Sequence, residues 1–371
     1  MHCLMGYSDK IEVAAALEEA CAGWGQEEPR LVIFFSDRER FADFTGALAR
    51  LFPQTQILGA ASYLSFSPAG VSRAGLQLAA LFDLEVAVGR LDELKTYPLK
   101  YKQVAEEALA SLAPFHPQAR NTCCFTLTSA GTNSEELMLD TFKAAFGSQG
   151  IPVCGGSASS PELLQGEVSL NGRIYRESTV FALLCVGNDR LHIQQENIFE
   201  PWGREFSVTK ANVEEHTIYE LDGHPVSEVL CKALKVPREQ LAGALELHPF
   251  GRIAGEQVFI SEIKSVNEDG SITTYCRIFN QTPIALLQMV DTKKALAKTL
   301  DAIHRDLNRV DFSLMVNCFR RSCLYAERGE LDGFARELHA SLGPYLGLTS
   351  YGEQLDTYQL SLTMLILSFG A

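Results

Sequence analysis

Cys123-Cys-Phe-Thr-Leu-Thr-Ser-Ala-Gly-Thr-Asn-Ser134 is the stretch on which the fold turns. Cys123 to Leu127 is an unbroken run of strand length, the pattern of a strand covered on both faces. Small polar residues interrupt it from Ser129 to Asn133. Beyond Ser134, Leu137, Phe142, Ala145 and Phe146 recur at helical spacing, with Glu135 and Glu136 placed where carboxylates meet the positive end of a helix dipole. Pro152-Val-Cys154 then runs into Gly155-Gly156-Ser157-Ala158, which reads as a short strand and a glycine-rich turn. Thr179 to Val186 is a further apolar strand. The order is that of a β-α-β unit with a returning strand.

Working outward, the same order stands upstream. Leu31-Val-Ile-Phe-Phe35 is a strand, and Phe41, Phe44, Leu48, Leu51 and Phe52 mark a helix. Gln56-Ile-Leu58 leads into Gly59-Ala60-Ala61-Ser62, and Leu76 to Phe82 returns. Gly59 and Gly155 fall at equivalent places, which predicts an internal β-α-β duplication in the N-terminal half. Downstream, Asn188 to Trp202 reads as a segment crossing between halves. Val226 to Leu234 is a helix. Val258 to Val266 and Ser271 to Phe279 form a hairpin about Asn267-Glu-Asp-Gly270. Lys293 to Asn308 is a helix, Phe312 to Phe319 a strand and Leu331 to Leu342 a helix, followed by two strands around Ser350 to Gln354. The class is α/β, with mixed, partly antiparallel sheets and flanking helices. At 371 residues the chain suits two domains, divided here as 1–200 and 201–371.

Composition removes several functions. With 46 acidic against 32 basic residues the formal charge is −14, so nucleic acid is not an expected partner. No apolar run approaches the roughly 18 to 20 residues that span a bilayer, so membrane insertion is not expected. Met1 to Asp9 lacks a basic segment followed by a long apolar one, and a cytoplasmic location is the expectation. The ten cysteines hold no Cys-x-x-Cys pair, and Cys123, Cys124, Cys154, Cys185 and Cys276 sit in or beside apolar runs, as buried thiols do. There is no His-Glu-x-x-His, no Gly-Lys-Ser/Thr phosphate loop and no Gly-x-Ser-x-Gly elbow. No metal site or enzyme machinery is indicated.

Candidate ligand-binding residues come from three places. Ser129, Thr132 and Asn133 lie in a turn before a helix, where backbone N–H groups favour a carboxylate; a ligand-free helix start is the alternative. Gly155, Gly156 and Ser157 let backbone approach a ligand, or equally a neighbouring strand. Cys318, Arg321, Tyr351 and Glu353 gather at late strand ends. Arg321 is suited to holding a carboxylate, and Cys318 is either a thiol activated by Arg320 or Arg321 or a buried structural one.

Assembled in order, these pieces resemble the FIST family. Thr128-Ser-Ala-Gly-Thr-Asn-Ser-Glu-Glu136, Pro152-Val-Cys-Gly-Gly-Ser-Ala158 and Val168-Ser-Leu-Asn-Gly-Arg-Ile174 resemble its N-terminal domain. Tyr219-Glu-Leu-Asp-Gly-His-Pro225, Asn317-Cys-Phe-Arg-Arg321 and Gly347-Leu-Thr-Ser-Tyr-Gly-Glu-Gln354 resemble its C-terminal domain. The resemblance implies a non-catalytic signal-input protein that binds a small, amino-acid-like molecule and acts on a signalling protein such as a histidine kinase or a cyclic-nucleotide enzyme. It is similar to the free-standing members, some of which are haem-binding nitric oxide sensors. Haem is therefore a possible cofactor, with His192, His216, His224 and His248 the nominal axial ligands. A protein-interaction scaffold is the other alternative. Two departures bear on the site: Phe259-Ile260-Ser261 stands where members usually have Tyr-Val-Arg, and Gln359-Leu-Ser-Leu-Thr363 where they have His-x-Asn-Gln-Thr.

Overall fold

The computed structural model describes residues 1–25, 27–131, 134–158, 166–187, 190–255 and 257–371, with backbone alone at 254 and 257. They form two compact units: residues 1–195 with 299–358 and 364–371, and residues 196–298 with 359–363.

One motif organises the first unit. Leu31–Ser36 pairs in parallel with Gln56–Ala61 across the helix Arg38–Leu51, and Leu76–Leu81 returns antiparallel on its other side. Thr122–Thr128 pairs in parallel with Val153–Ala158 across the helix Glu135–Phe146, and Ser178–Cys185 returns antiparallel. Each set is completed by an earlier strand, Cys3–Ser8 beside Leu76–Leu81 and Glu85–Asp92 beside Ser178–Cys185. The duplication expected from sequence is thus one strand order traced twice.

The order is traced a third time. Val310–Cys318 pairs in parallel with Tyr345–Leu355 across the helices Phe319–Glu327 and Leu331–Leu342, and Thr363–Gly370 returns antiparallel. Arg190–Asn197 flanks Thr363–Gly370 as the earlier strand. In this copy the chain of the second unit is inserted after the first strand. The second and third copies share one sheet because Tyr345–Leu355 pairs antiparallel with Val153–Ala158.

Each of the first two copies has its own core. Val32 and Phe34 of the first pack with Phe41, Phe44 and Leu48; Cys124 and Phe181 of the second pack with Met138, Phe142 and Phe146. Each large side chain so buried contributes on the order of 1.5–3 kcal/mol, which fixes the helices on the sheet face. The five cysteines expected to be buried are buried, and none of the ten forms a disulfide.

Three readings of the sequence are corrected. Gly59, Gly155 and Gly156 lie inside the strands Gln56–Ala61 and Val153–Ala158 rather than in turns, because close approach, not chain reversal, is what excludes a side chain there. A Cβ on Gly155 would stand 2.1 Å from the carbonyl oxygen of Thr126. The supposed crossing segment contains the strand Arg190–Asn197 and the start of Phe199–Asn212. Its polar, half-exposed positions hide the apolar run that marks a buried strand. Val258 to Val266 divides at Glu262 into Gln257–Ser261 and Ile263–Val266, which stand at opposite ends of the second unit's strand path.

That second unit is an antiparallel sheet ordered 257–261, 250–254, 283–289, 199–212, 217–221, 272–274, 263–266. Its two end strands are joined through the single residue Glu262, so the sheet curls round on itself. The helices Val226–Leu234 and Leu241–Leu247 bury Val226, Leu230, Leu241 and Leu245 against Phe206, Ile218, Phe250 and Ile284.

The first-copy helix carries a testable cap. Asp37 accepts from the backbone N–H of Arg40 at 3.1 Å and of Gly75 at 3.0 Å, and pairs with the Arg40 guanidinium at 2.7 Å. Burial pushes its carboxyl up, but the bonds from Arg40 and Gly75 together outweigh burial and leave the carboxyl below its ordinary value. A lowered folded pKa means stability that is present above the unfolded pKa, about 3.9, and lost as pH falls through the folded one. Asp37→Asn keeps a capping acceptor but loses the charge and the Arg40 ion pair, and is therefore expected to cost up to about 1 kcal/mol at pH 7, with the gap to wild type closing below pH of about 4. Urea midpoints across pH measure this, and a gap that stays constant into acid contradicts it.

Candidate ligand-binding site

In the first unit the C-terminal ends of three strands meet beside one residue. Ser350 lies opposite Ala158 on one side and Cys318 on the other, and Thr128 lies opposite Ser157. Val153–Ala158 and Val310–Cys318 therefore end at the same level on either side of Tyr345–Leu355. They reach it from opposite directions, the first antiparallel and the second parallel to Tyr345–Leu355. Two helices start from this crest, Glu135–Phe146 behind Ser134 and Phe319–Glu327 behind Cys318, and neither has a side-chain cap.

Beneath the crest lies a buried polar layer. The Gln354 side chain accepts from Thr126 Oγ1 at 2.7 Å and donates to Thr128 Oγ1 at 3.1 Å, and Thr128 bonds Thr179 at 3.0 Å. The Ser157 N–H donates to Ser350 Oγ at 3.0 Å, while Ser350 Oγ donates to the carbonyl of Gly352. Ser129 Oγ donates to the Tyr175 carbonyl at 3.2 Å. Such a layer fixes strand register because each member would lose a partner if a strand slipped. Arg321 and Glu353 are both 0% exposed. Arg321 bonds the Tyr325 hydroxyl at 3.2 Å, with its guanidinium 5.2 Å from the Tyr325 ring and 5.7 Å from that of Phe334.

Three aromatic rings stand beside the crest. Phe319 lies 4.8 Å from Tyr351 and 5.1 Å from Tyr63, and the Arg73 guanidinium lies 5.7 Å from the Tyr63 ring. All three aromatics are half-buried. Burial, with smaller contributions from Cys323, Tyr63 and Cys318, pushes the Tyr351 phenol well above its ordinary value, so it stays a neutral donor. Burial also raises the Cys323 thiol; Arg320 and Arg73 pull it back less than burial raises it.

The structure puts Ser157, Cys318, Tyr351 and Glu353 on neighbouring strands of one sheet, with Ser129 just past the end of Thr122–Thr128 and Arg321 in the helix that follows Cys318. Thr132 and Asn133 lie outside the described residues. Gly155 and Gly156 belong to the same sheet, but the space a side chain would take is filled by Thr126 and by Ser350 and Val316. Close strand packing accounts for both glycines. Arg320 and Arg321 stand in the first turn of a helix, not on a strand end. Sequence reasoning missed Ser350, Gln354, Phe319 and Tyr63. Tyr63 was illegible because it comes from the first copy, and Ser350 because its two strand partners are remote in the chain.

The histidines do not gather. His192 belongs to the first unit, where its Nδ1 lies 2.7 Å from Asp306; the other three belong to the second. His216 has a left-handed backbone, φ 54°, after the Asn212 strand end. His248 bonds the Leu287 carbonyl through Nδ1 at 2.9 Å. Among the described residues no group of three His, Cys, Asp or Glu side chains is placed to hold a metal ion, and no helix is long and apolar enough to cross a membrane.

The second unit carries a half-open groove of about 730 Å³, bounded by Trp202, Arg204, Phe206, His224, Lys232 and Leu286 among others.

With both sites described, two family models match the chain: the FIST N domain over residues 30–224 and the FIST C domain over residues 227–356. No curated protein matches it.

Proposed function

Because this chain belongs to the FIST family, whose domains are associated with sensing small ligands in signal transduction, we propose that it is a non-catalytic signal-input protein that binds a small carboxylate-bearing molecule, amino-acid-like in size, at the crest of its first unit. The observation that supports this reading is the meeting of three strand ends and two helix starts beside Ser350, under the Tyr63, Phe319 and Tyr351 rings. The positive end of the Phe319–Glu327 helix dipole and the neighbouring Arg320 suit an anionic group, and the rings suit an apolar one. Output passes to a separate signalling protein of the histidine kinase or cyclic-nucleotide enzyme kind. A tenfold bias of that output needs about 1.4 kcal/mol of differential binding between two states.

A thermal-shift screen over amino acids and small organic acids tests this. A ligand at one hundred times its Kd adds about 2.7 kcal/mol to folding, and the rise in Tm is expected to vanish in Tyr351→Ala and Arg320→Ala. A screen without hits, or a hit that both variants keep, rejects the site.

A further inference from the structure

The groove of the second unit is built around a break in a sheet. Trp202 lies opposite Leu286 and Glu205 opposite the next residue, Ala285, so Gly203 and Arg204 face no residue of the partner strand. Gly203 has φ 78°, and a side chain there would meet nothing within 4 Å. A bulge of this kind turns its side chains out of the pleat.

What it presents is ordered. The Trp202 ring stacks on His248 at 4.5 Å and 18°, and the Nδ1–H bond to Leu287 holds that imidazole in place. Trp202 is still 38% exposed, so one ring face is supported while the side chain still borders the groove. Arg204 bonds Asp222 at 3.2 Å, its guanidinium lying 4.7 Å from the Phe206 ring. Asp222 also accepts from the Ser207 N–H at 2.8 Å, tying the bulge to the turn at Asp222 and Gly223. Opposite, the helix Val226–Leu234 contributes Val229, Ala233 and two exposed charged side chains, Glu228 and, one turn on at the other end, Lys232. The groove's volume, about 730 Å³, lies within the range of small-molecule sites, roughly 300–1,000 Å³.

We propose that this groove is a second ligand site, independent of the crest, for a planar aromatic acid of two or three fused rings. The rings stack on Trp202 and lie against Phe206 and Leu286, and the acid group meets Lys232. A tryptophan held flat by a second ring binds a planar partner at little cost in side-chain entropy. Lys232 supplies a point charge in a protein of net charge −14, whose overall field otherwise disfavours anions.

Calorimetric titration of the full chain with naphthalene-2-carboxylate, and with 2-naphthylmethanol as the uncharged counterpart, tests the proposal. The carboxylate is expected to bind at least fivefold more tightly than the alcohol. Trp202→Ala is expected to weaken it tenfold or more, and Lys232→Gln about fivefold with the alcohol unaffected. Arg320→Ala, at the crest, is expected to leave binding unchanged, which separates failure here from failure of the first-unit site. No binding of the carboxylate, equal binding of the alcohol, or full affinity in Trp202→Ala overturns it. Lys232 is exposed, so its variant decides the charge question even if Trp202→Ala disturbs folding.

Discussion

Arg321→Ala is expected to lower the stability of the protein by about 3–5 kcal/mol, the range found when a large, fully buried side chain is cut back to its Cβ. Arg321 is the largest fully buried side chain, at 0% exposure. It reaches the Tyr325 hydroxyl and lies against the touching rings of Tyr325 and Phe334, whose centroids are 4.9 Å apart, and Phe334 in turn stands edge-on to Phe66 at 6.3 Å. Truncation removes the cation from two aromatic faces, strands the polar groups it serves and opens a cavity that a helix anchored at both ends cannot close. Arg321→Lys should not rescue it, because an ammonium lacks the planar, delocalised fork that lies against both rings while bonding the Tyr325 hydroxyl. The neighbouring Arg320 is only half-buried, and Arg320→Ala is expected to change stability by less than about 1 kcal/mol. Urea unfolding of the three variants checks this. A loss below 1 kcal/mol in Arg321→Ala would show that the buried guanidinium is not a keystone of the third copy.

Gly155→Ala carries the second large effect, about 3 kcal/mol of destabilisation through overpacking. The added methyl would stand 2.1 Å from the Thr126 carbonyl oxygen and 2.8 Å from its carbon. These are backbone atoms of the adjacent parallel strand, so no rotamer change relieves the clash and the strands must part. Thr126 also holds Gln354 at 2.7 Å, so the disturbance should reach the polar layer under the crest. Gly46→Ala is the opposite control. Gly46 sits within the helix Arg38–Leu51, where the nearest atom to the new methyl is the end of the flexible Arg50 side chain at 3.4 Å. Alanine there is expected to stabilise by up to about 1 kcal/mol. Equal and small effects at the two positions would contradict the packing argument.

The two contiguous copies of the motif were legible because their central strands are covered on both faces. Leu31–Ser36 and Thr122–Thr128 are buried at every position, and full burial leaves an apolar run that composition alone discloses. The third copy was not legible as a copy. Its first strand, Arg190–Asn197, is largely half-exposed, and the chain of an entire second unit separates it from Val310–Cys318. Part of the crest was visible as Ser129, Ser157, Cys318, Arg321, Tyr351 and Glu353. Nothing local in the sequence joined them to Tyr63 or revealed that Ser350 sits between two strand ends. The Trp202 groove was hidden as well, since a bulge is defined by the partner strand and not by the residues that form it.

By itself the sequence determined the buried strands and amphipathic helices of the first two copies, their repeated β-α-β order, the burial of five cysteines and the family. These follow from the spacing of apolar side chains, a property of neighbours along the chain. Only the tertiary structure decided that the glycines serve strand packing, that the last strands return to the first unit, and that a tryptophan is turned out over a groove. Those outcomes depend on pairing between strands far apart in sequence, where contact geometry rather than residue type selects the arrangement.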